Sequence, residues 1–403
     1  MNHRAGAVRR RGHRTLIVAL IFAGAAAVVW AGQSPLRQSK PSQASPVRTS
    51  EGTSRVTDVT IESDLLFVGD IYWGRAINKR AQASSLKEAY PFARLSEFGR
   101  ERYDAWIGNL ECPSVPGVVQ PYTLEVQKLL FNCPSSYLPE FAKWFTGVSL
   151  ANNHTGNQGG QRGLDATRQA LEAQGIQYFG HYDSTILRDV CEVLSLPATL
   201  TKARDAGQAA EIPVAFCGYH GLSVQPPAGA IDQIREYAKY MPVIAIVHMG
   251  SEYTAKVDTV RQGLYRSMID NGAQAVIGGH PHWVQPAETY KGRLIAYSLG
   301  NFMFDQRPGE TSRGAAISMA IQTRVNALEA SKLTYLAKSC RTFRDTCLAR
   351  AKRLSLKRPS FVFAYQAQGV DLSGYQTHPA DDALDQLVLD RLNWQSVGAG
   401  LRR

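Results

Sequence analysis

Short apolar runs that break abruptly into polar and glycine-rich residues recur along this chain. Three follow one another within residues 241–305, namely VIAIVHMGSEY, AVIGGHPHWVQP and LIAYSLGNFMFD. Continuous runs of Val, Ile and Ala are typical of strands that helices cover on both faces. In open α/β sheets the ligand site lies beyond the carboxyl ends of the strands. The pattern therefore predicts a sheet edge that carries imidazoles, a carboxylate and glycines.

The rest of the chain alternates between predicted strands and helices. Earlier apolar runs at residues 65–68, 105–107 and 148–150 lead into GD, GNLE and ANNH. Further strands are predicted at residues 176–179, 190–196, 212–217, 315–322 and 332–336. Helices are predicted at residues 91–102, 136–145, 160–174, 231–240, 257–271 and 381–392. This alternation predicts an α/β fold with a mixed sheet or two packed sheets.

The first 57 residues differ from the remainder. A cluster of four arginines (Arg9, Arg10, Arg11 and Arg14) precedes a 17-residue apolar run at residues 15–31, so residues 1–31 are predicted to be a signal peptide or an uncleaved signal-anchor. A core helix is the alternative. Residues 32–58 are rich in Ser, Gln and Pro, which predicts a disordered linker. The arginines should stay cytoplasmic, so the domain is expected to be exported to the periplasm or cell surface. Residues 15–31 would anchor it to the cytoplasmic membrane if they are not cleaved.

The net charge of +11 does not indicate a nucleic-acid partner. Residues 1–57 hold nine Lys or Arg and one Glu, a balance of +8, which leaves only +3 for the other residues. The six cysteines are an even number, which permits disulfides in an exported protein. Cys340 and Cys347 are close enough to close a local loop and are predicted to pair, with two inert thiols as the alternative.

Metal-ligating residue types collect at the predicted strand ends. They are Asp70, Glu111, Asn152, Asn153, His154, His248, Glu252, His280, His282 and Asn301. Taken alone, each residue has an ordinary structural interpretation: Asp70 as a helix cap, His248 as a hydrogen-bonded core histidine and Arg75 as a solvated arginine. Together they suit one or two divalent ions such as Zn²⁺, Mn²⁺ or Fe²⁺. The chain has no GxxxxGK, GxSxG or GxGxxG motif, and no nucleophilic Cys or Ser stands out.

With these motifs the chain resembles the CapA family of capsule and poly-γ-glutamate biosynthesis proteins, a branch of the calcineurin-like metallophosphoesterases. The matching motifs are FVGDIYWGR, GNLE, SLANNH, HMGSEY, IGGHPHWVQPAE and YSLGNFMFD, in the family order. The resemblance implies a four-layer sandwich in which helices flank two mixed β-sheets, with the metals at the strand ends. It implies a domain at residues 59–323, on which a C-terminal extension at residues 324–403 packs.

The resemblance also implies roles for individual residues. Asp70, Glu111, Asn153, His248, His280 and His282 match the metal ligands, with Glu111 in the bridging position. His154 matches the general acid. Arg75, Glu252 and Asn301 are expected to bind substrate. The chain departs from the family pattern at Tyr72, which replaces a ligand histidine, and at Gly279, Met249 and Asn157.

Three functions follow from the resemblance. The first is an exported metal-dependent hydrolase in the assembly or release of an anionic cell-surface polymer, working with membrane-bound polymer synthesis proteins. The second is a non-catalytic component that handles or exports the polymer and binds metal without turnover. The third is a secreted phosphoesterase. His154 favours an enzyme, whereas the missing histidine at Tyr72 favours binding alone.

Overall fold

Strand β1 (Asp58–Ile71) pairs with four other strands and so joins the described strands into one hydrogen-bonded network. The computed structural model describes residues 58–202, 207–306 and 309–401. Along one edge, β1 pairs antiparallel with β12 (Arg313–Asn326). Along its other edge it pairs first with β5 (Cys191–Lys202) and then, from Leu65 onward, with β2 (Ala105–Leu110). The hydrogen-bonded network therefore divides into two branches at β1.

Each branch contains both parallel and antiparallel pairs. In the first, β2, β3 (Gly147–Ser149) and β4 (Gln177–Phe179) run parallel beyond β1, while β12, β13 (Phe361–Asp371) and β14 (His378–Pro379) are antiparallel. The second runs from β5 through β6 (Gln208–His220), β7 (Val243–His248), β8 (Ala275–Gly279) and β10 (Arg293–Ala296) to β9 (Ala287–Tyr290). A short strand, β11 (Asn301–Met303), pairs parallel with the end of β1.

Helices flank the two branches. They are α1 (Arg75–Ala83), α2 (Tyr122–Gln127), α3 (Leu138–Phe141), α4 (Gln161–Ala173), α5 (Ala228–Ala238), α6 (Thr259–Asp270), α7 (Ala327–Thr342), α8 (Cys347–Arg353), α9 (Asp382–Arg391) and α10 (Trp394–Leu401). The α/β fold with mixed sheets flanked by helices is thereby confirmed. None of the helices within the described ranges is both long and apolar enough to cross a bilayer.

The alternation of side chains along β1 separates two hydrophobic cores. Leu65 and Phe67 belong to one buried cluster, and Leu66 and Val68 belong to the other. Successive strand residues point to opposite faces, so a single strand contributes to both cores. Each buried side chain of this size stabilises the fold by about 1.5–3 kcal/mol. A shift of β1 by one residue would move each of its apolar side chains from its own core to the opposite one. Packing in the two cores therefore fixes the register of β1 and the position of the residues at its end.

Two local predictions were wrong. Residues 332–336 were expected to form a strand, but they lie inside α7. Asn326 caps that helix by accepting a hydrogen bond from Glu329 N, and Leu333, Leu336 and Cys340 recur at helical spacing on its buried side. Residues 91–102 were expected to be a helix but form short 3₁₀ turns, interrupted at Gly99 with φ of 72°.

All six cysteines are paired. The predicted Cys340–Cys347 disulfide is confirmed, and Cys112–Cys133 and Cys191–Cys217 join it. Cys191 and Cys217 lie opposite each other on β5 and β6. The predicted leader at residues 1–31 and all of the predicted linker before Asp58 lie outside the described residues, and the proposed boundaries at residues 59–323 and 324–403 stay predictions.

Candidate metal centre

The carboxyl ends of five strands bring the predicted ligands together. Asp70 lies at the end of β1, where it pairs in register with Asn109 of β2 and Asn301 of β11. His248 is the last residue of β7 and pairs with Gly279 of β8. Glu111 directly follows β2, and His280 and His282 follow β8. Asn153 and His154 lie in the turn that begins after β3. All of these residues therefore lie at the same edge, beyond the carboxyl ends of the strands.

Glu111 is the centre of this cluster. It is fully buried, and within the described residues no hydrogen-bond partner reaches either carboxylate oxygen. Its Oε1 lies 3.6 Å from His248 Nε2, 3.8 Å from His282 Nε2 and 3.9 Å from His154 Nε2. Burial, followed by the charge of Asp70, raises the pKa of Glu111 well above its usual value. A bound cation would satisfy both this carboxylate and its charge.

Glu111 belongs to two groups of potential ligands. One contains Asp70, Glu111 and His248, and the other contains Glu111, His280 and His282. Within each group the ligand atoms lie within 4.8 Å of one another. Carboxylate and imidazole donors fit a borderline divalent ion, so the donor set suits divalent metal binding. The shared carboxylate is in the position that a bridging ligand would occupy.

Asp70 is held as a carboxylate by its neighbours. Asn109 Nδ2 donates to its Oδ1 at 2.8 Å, and the backbone N–H of His280 donates to Oδ2 at 2.9 Å. Burial would raise the pKa of Asp70, but interactions with His248 and His282 and the His280 hydrogen bond together hold it below its usual range. An ionised Asp70 needs no further proton loss before it can bind a metal ion.

Burial favours the neutral imidazole at two of the histidines, His280 and His282. Burial, followed by the charges of His248 and His282, lowers the pKa of His280 to about 2, and burial also lowers the pKa of His282. His280 Nδ1 is buried and has no partner among the described residues. His280 and His282 adopt φ of 91° and 56°, a region that L-residues rarely occupy. Such strain persists where the surrounding structure enforces it, which is common at functional sites.

Amide side chains orient these groups. His248 Nε2 lies 2.9 Å from Asn153 Oδ1, and His282 Nδ1 lies 2.9 Å from Asn301 Oδ1. Asn152 Oδ1 accepts from the backbone N–H of His154, and Asn152 Nδ2 donates to Asn109 Oδ1. Because backbone donors fix the orientation of Asn152, they also fix that of Asn109. A series of hydrogen bonds through Asn152 and Asn109 therefore connects the turn after β3 to Asp70.

His154 lies beside the ligands with its ring held on both sides. Its ring stacks on Phe131 with centroids 3.9 Å apart. Its Nδ1 lies 3.0 Å from Asn157 Oδ1, an oxygen that also accepts the backbone N–H of Phe131. Nδ1 is therefore the donor, and Nε2 is directed toward Glu111. Burial lowers the pKa of His154 to about 4, so the imidazole is neutral at neutral pH unless a further negative charge approaches it.

The residues expected to bind substrate occupy three different environments. Arg75 Nε donates to Asp305 Oδ1 at 3.1 Å, and its side chain is only 11% exposed. Asn301 is fully buried and contacts His282. Glu252 is exposed on the loop after β7. Only Glu252 is freely accessible in this arrangement, and the substrate-binding role of all three stays a prediction.

Two departures from the family pattern have visible consequences. Tyr72 directs its hydroxyl to Glu125 Oε1 at 2.7 Å and packs on Phe131, away from the two ligand groups. A Cβ atom at Gly279 would lie 2.6 Å from Asp70 Oδ1, so any side chain there would require Asp70 to move. Sequence reasoning missed Glu125 and Phe131, because residues 112–133 have no periodic apolar pattern.

Residues 64–306 match the family described as bacterial capsule synthesis protein PGA_cap. The capsule biosynthesis protein CapA of Bacillus anthracis is 28% identical over 277 residues, which cover 66% of this chain and 65% of that protein. The PGA biosynthesis protein CapA of Bacillus subtilis (strain 168) is 28% identical over 307 residues, 73% of each chain. The match thus spans slightly less than two thirds of the B. anthracis protein.

The chain is also similar to solved structures from Thermus thermophilus. A 5'-nucleotidase precursor aligns with a TM-score of 0.36 and 10% identity, over 84% of this chain and 59% of that one. A hypothetical protein aligns with a TM-score of 0.35 and 16% identity, over 64% of this chain and 92% of that one.

Proposed function

This chain belongs to the bacterial capsule synthesis protein family PGA_cap, and on that premise we propose that it is an exported metal-dependent hydrolase that acts on an anionic cell-surface polymer. A polymer of the poly-γ-glutamate type is the proposed substrate, because the two Bacillus relatives carry capsule and PGA biosynthesis in their names. The proposed partners are membrane-bound polymer synthesis proteins.

One observation carries this proposal: Glu111 is a fully buried carboxylate that no donor among the described residues satisfies, with three imidazole nitrogens within 4 Å of its Oε1. A buried polar group without a partner is costly, so proteins retain one mainly where a function requires it. Asp70, Glu111, Asn153, His248, His280 and His282 would hold the metal. When bound, a divalent ion supplies Lewis acidity and a positive charge that stabilises negative charge developing on the substrate.

The residues around the ligands support hydrolysis in particular. Asn157 fixes the His154 ring so that Nε2 faces the site, and Phe131 covers the ring face. An imidazole positioned in this way can pass a proton between a reacting group and solvent. Asn152 and Asn109 hold the two halves of the edge in register. A component that only bound polymer would have no need of a positioned His154.

Glu111→Gln tests the proposal, because the amide keeps the shape of the side chain but removes its charge. The purified full-length protein should contain a divalent metal and cleave poly-γ-glutamate, and Glu111→Gln should lose both properties. Glu101→Gln, an exposed substitution of the same kind, is the matched control. Metal binding without cleavage of poly-γ-glutamate or of phosphodiesters would favour the non-catalytic alternative, and cleavage of phosphodiesters alone would favour the phosphoesterase.

A further inference from the structure

A disulfide closes residues 112–133 into a segment, here called the disulfide loop, that exposes a large amount of apolar surface. Its exposed large apolar side chains are Val119, Tyr122, Leu124, Val126, Leu129 and Leu130. Val119 is 89% exposed and Leu129 51% exposed. Single exposed apolar residues are ordinary, but a contiguous group of them marks a surface that meets another phase or molecule.

Helix α2 within the disulfide loop is inverted relative to a normal surface helix. Tyr122, Leu124 and Val126 face outward, whereas the only buried residue of the helix is Glu125. Glu125 accepts hydrogen bonds from the Tyr72 hydroxyl and from the backbone N–H of Arg75. A helix on a globular protein normally buries its apolar side. Contacts with Tyr72 and Arg75 account for the inward carboxylate, but nothing in the described residues accounts for the outward apolar face.

The disulfide loop presents this face in a defined conformation. The Cys112–Cys133 bond closes its base, and Asn132 Nδ2 donates to Val118 O at 3.1 Å. Gln120 Nε2 donates to Leu130 O at 2.8 Å. The backbone that carries the apolar side chains is therefore restrained before any partner binds, which lowers the entropic cost of binding.

The charges in and beside the disulfide loop indicate the chemistry of a partner. Its only charged residues are Glu125, which is buried, and Lys128, which is exposed, so the loop has no exposed carboxylate. Lys79 adds a second ammonium, 6.0 Å from the Tyr122 ring centroid. Apolar tips with adjacent lysines and a tyrosine match the boundary between acyl chains and anionic headgroups. The cores of protein interfaces, in contrast, are depleted of lysine.

We propose that the disulfide loop docks on the surface of an anionic phospholipid bilayer. Val119 and Leu129 would enter the acyl boundary, while Lys79 and Lys128 would contact the headgroups. The sequence between the predicted apolar segment at residues 15–31 and Asp58 spans at most about 90 Å when extended, which keeps the loop within reach of the same membrane. Phe131 at the end of the loop stacks on His154, so docking would hold the metal centre close to the bilayer.

Single labelled cysteines in the full-length protein test this proposal. Because all six native cysteines are paired, Val119→Cys introduces one thiol for an environment-sensitive fluorophore. Val362→Cys on β13, where Val362 is 65% exposed, is the matched control. With phosphatidylglycerol vesicles, the label at position 119 should shift to the blue and gain intensity, whereas the label at 362 and phosphatidylcholine vesicles should give no change. Adding Leu129→Ser should weaken the partitioning of the labelled loop about tenfold.

Four outcomes would overturn the proposal. The first is no spectral change at position 119 although the protein co-sediments with the vesicles, repeated with the label at Val126→Cys. The second is an equal change at position 362. The third is a label at position 119 whose emission is already blue-shifted without vesicles, relative to the label at 362, in a way that depends on protein concentration. This would identify a second copy of the chain as the occupant. The fourth is the same blue shift without vesicles at every protein concentration. This would identify another part of the same chain as the occupant.

Discussion

His154 is the residue whose chemistry separates an enzyme from a binding protein. His154→Gln keeps a side chain that can hydrogen-bond to Asn157 but removes the titratable nitrogen that faces Glu111. We expect turnover to fall by ~10²–10⁴-fold, the usual contribution of positioned proton transfer. Metal content, measured by elemental analysis, should be unchanged, because the two ligand groups do not include His154.

His378→Gln on β14 is the control for the loss of a histidine, since it lies outside both ligand groups. If the His154 variant turns over substrate at the parental rate, the proton-transfer role is lost and the residue only packs on Phe131. If it loses metal as well, His154 belongs to the ligand set.

The partly buried carboxyl group of Asp64 should make the stability of the protein depend on pH, and this effect does not involve the metal centre. Burial, followed by the charges of Glu62 and Asp104, raises the pKa of Asp64 above its usual 3.8. A raised pKa means that the folded protein binds the proton more tightly than the unfolded chain does. The resulting stabilisation is present below the usual pKa and disappears as the pH rises through the higher folded value.

We therefore expect Asp64→Asn to be more stable than the parent protein at pH 7, with the difference closing as the pH falls below about 4. Urea unfolding at several pH values measures this directly. The exposed Glu101→Gln should show no comparable gain at pH 7. A variant that is less stable at pH 7 would mean that the Asp64 carboxylate makes a favourable contact stronger than its burial.

At the scale of elements, two neighbouring residues of α7 differ in burial, and we expect their substitutions to differ in their effect on stability. Leu336 is fully buried, whereas Tyr335 is 55% exposed. Leu336→Ala should lower the free energy of unfolding by about 2–5 kcal/mol, because it leaves a cavity in the core. Tyr335→Ala should change it by about 0.5 kcal/mol or less. Equal losses at the two positions in denaturant unfolding would contradict the burial of Leu336 against the core.

The same helix explains where sequence reasoning failed. A five-residue segment such as residues 332–336, whose apolar members are Leu333, Tyr335 and Leu336, does not distinguish a strand from a turn of helix, and the deciding signal was Asn326 as the helix cap. Residues that directly follow long apolar runs, such as Asp70 and His248, were placed correctly at one edge. Glu125 could not be found in this way, because only the tertiary fold brings it to Tyr72, 53 positions away in sequence.

At the scale of the whole molecule, metal binding should contribute to stability. A ligand that binds only the folded state at about 100 times its Kd stabilises that state by ~2.7 kcal/mol. Treatment with a chelator should therefore lower the Tm of the parent protein. It should have little effect on Glu111→Gln, whose centre lacks the shared carboxylate. Calorimetry with and without chelator tests this, and an equal decrease in both proteins would place the stabilising metal elsewhere.

The branching of the sheets at β1 also has a consequence for the order of events during synthesis. Among the described strands β1 is made first, but its longest partner, β12, begins only at Arg313. At ~5–20 residues per second, roughly 10–50 s separate the two strands as they leave the ribosome. During that interval Leu66 and Phe67 belong to an apolar strand with one open edge, which is prone to aggregate. The chain should therefore be prone to aggregate until β12, which lies in its last quarter, has been made.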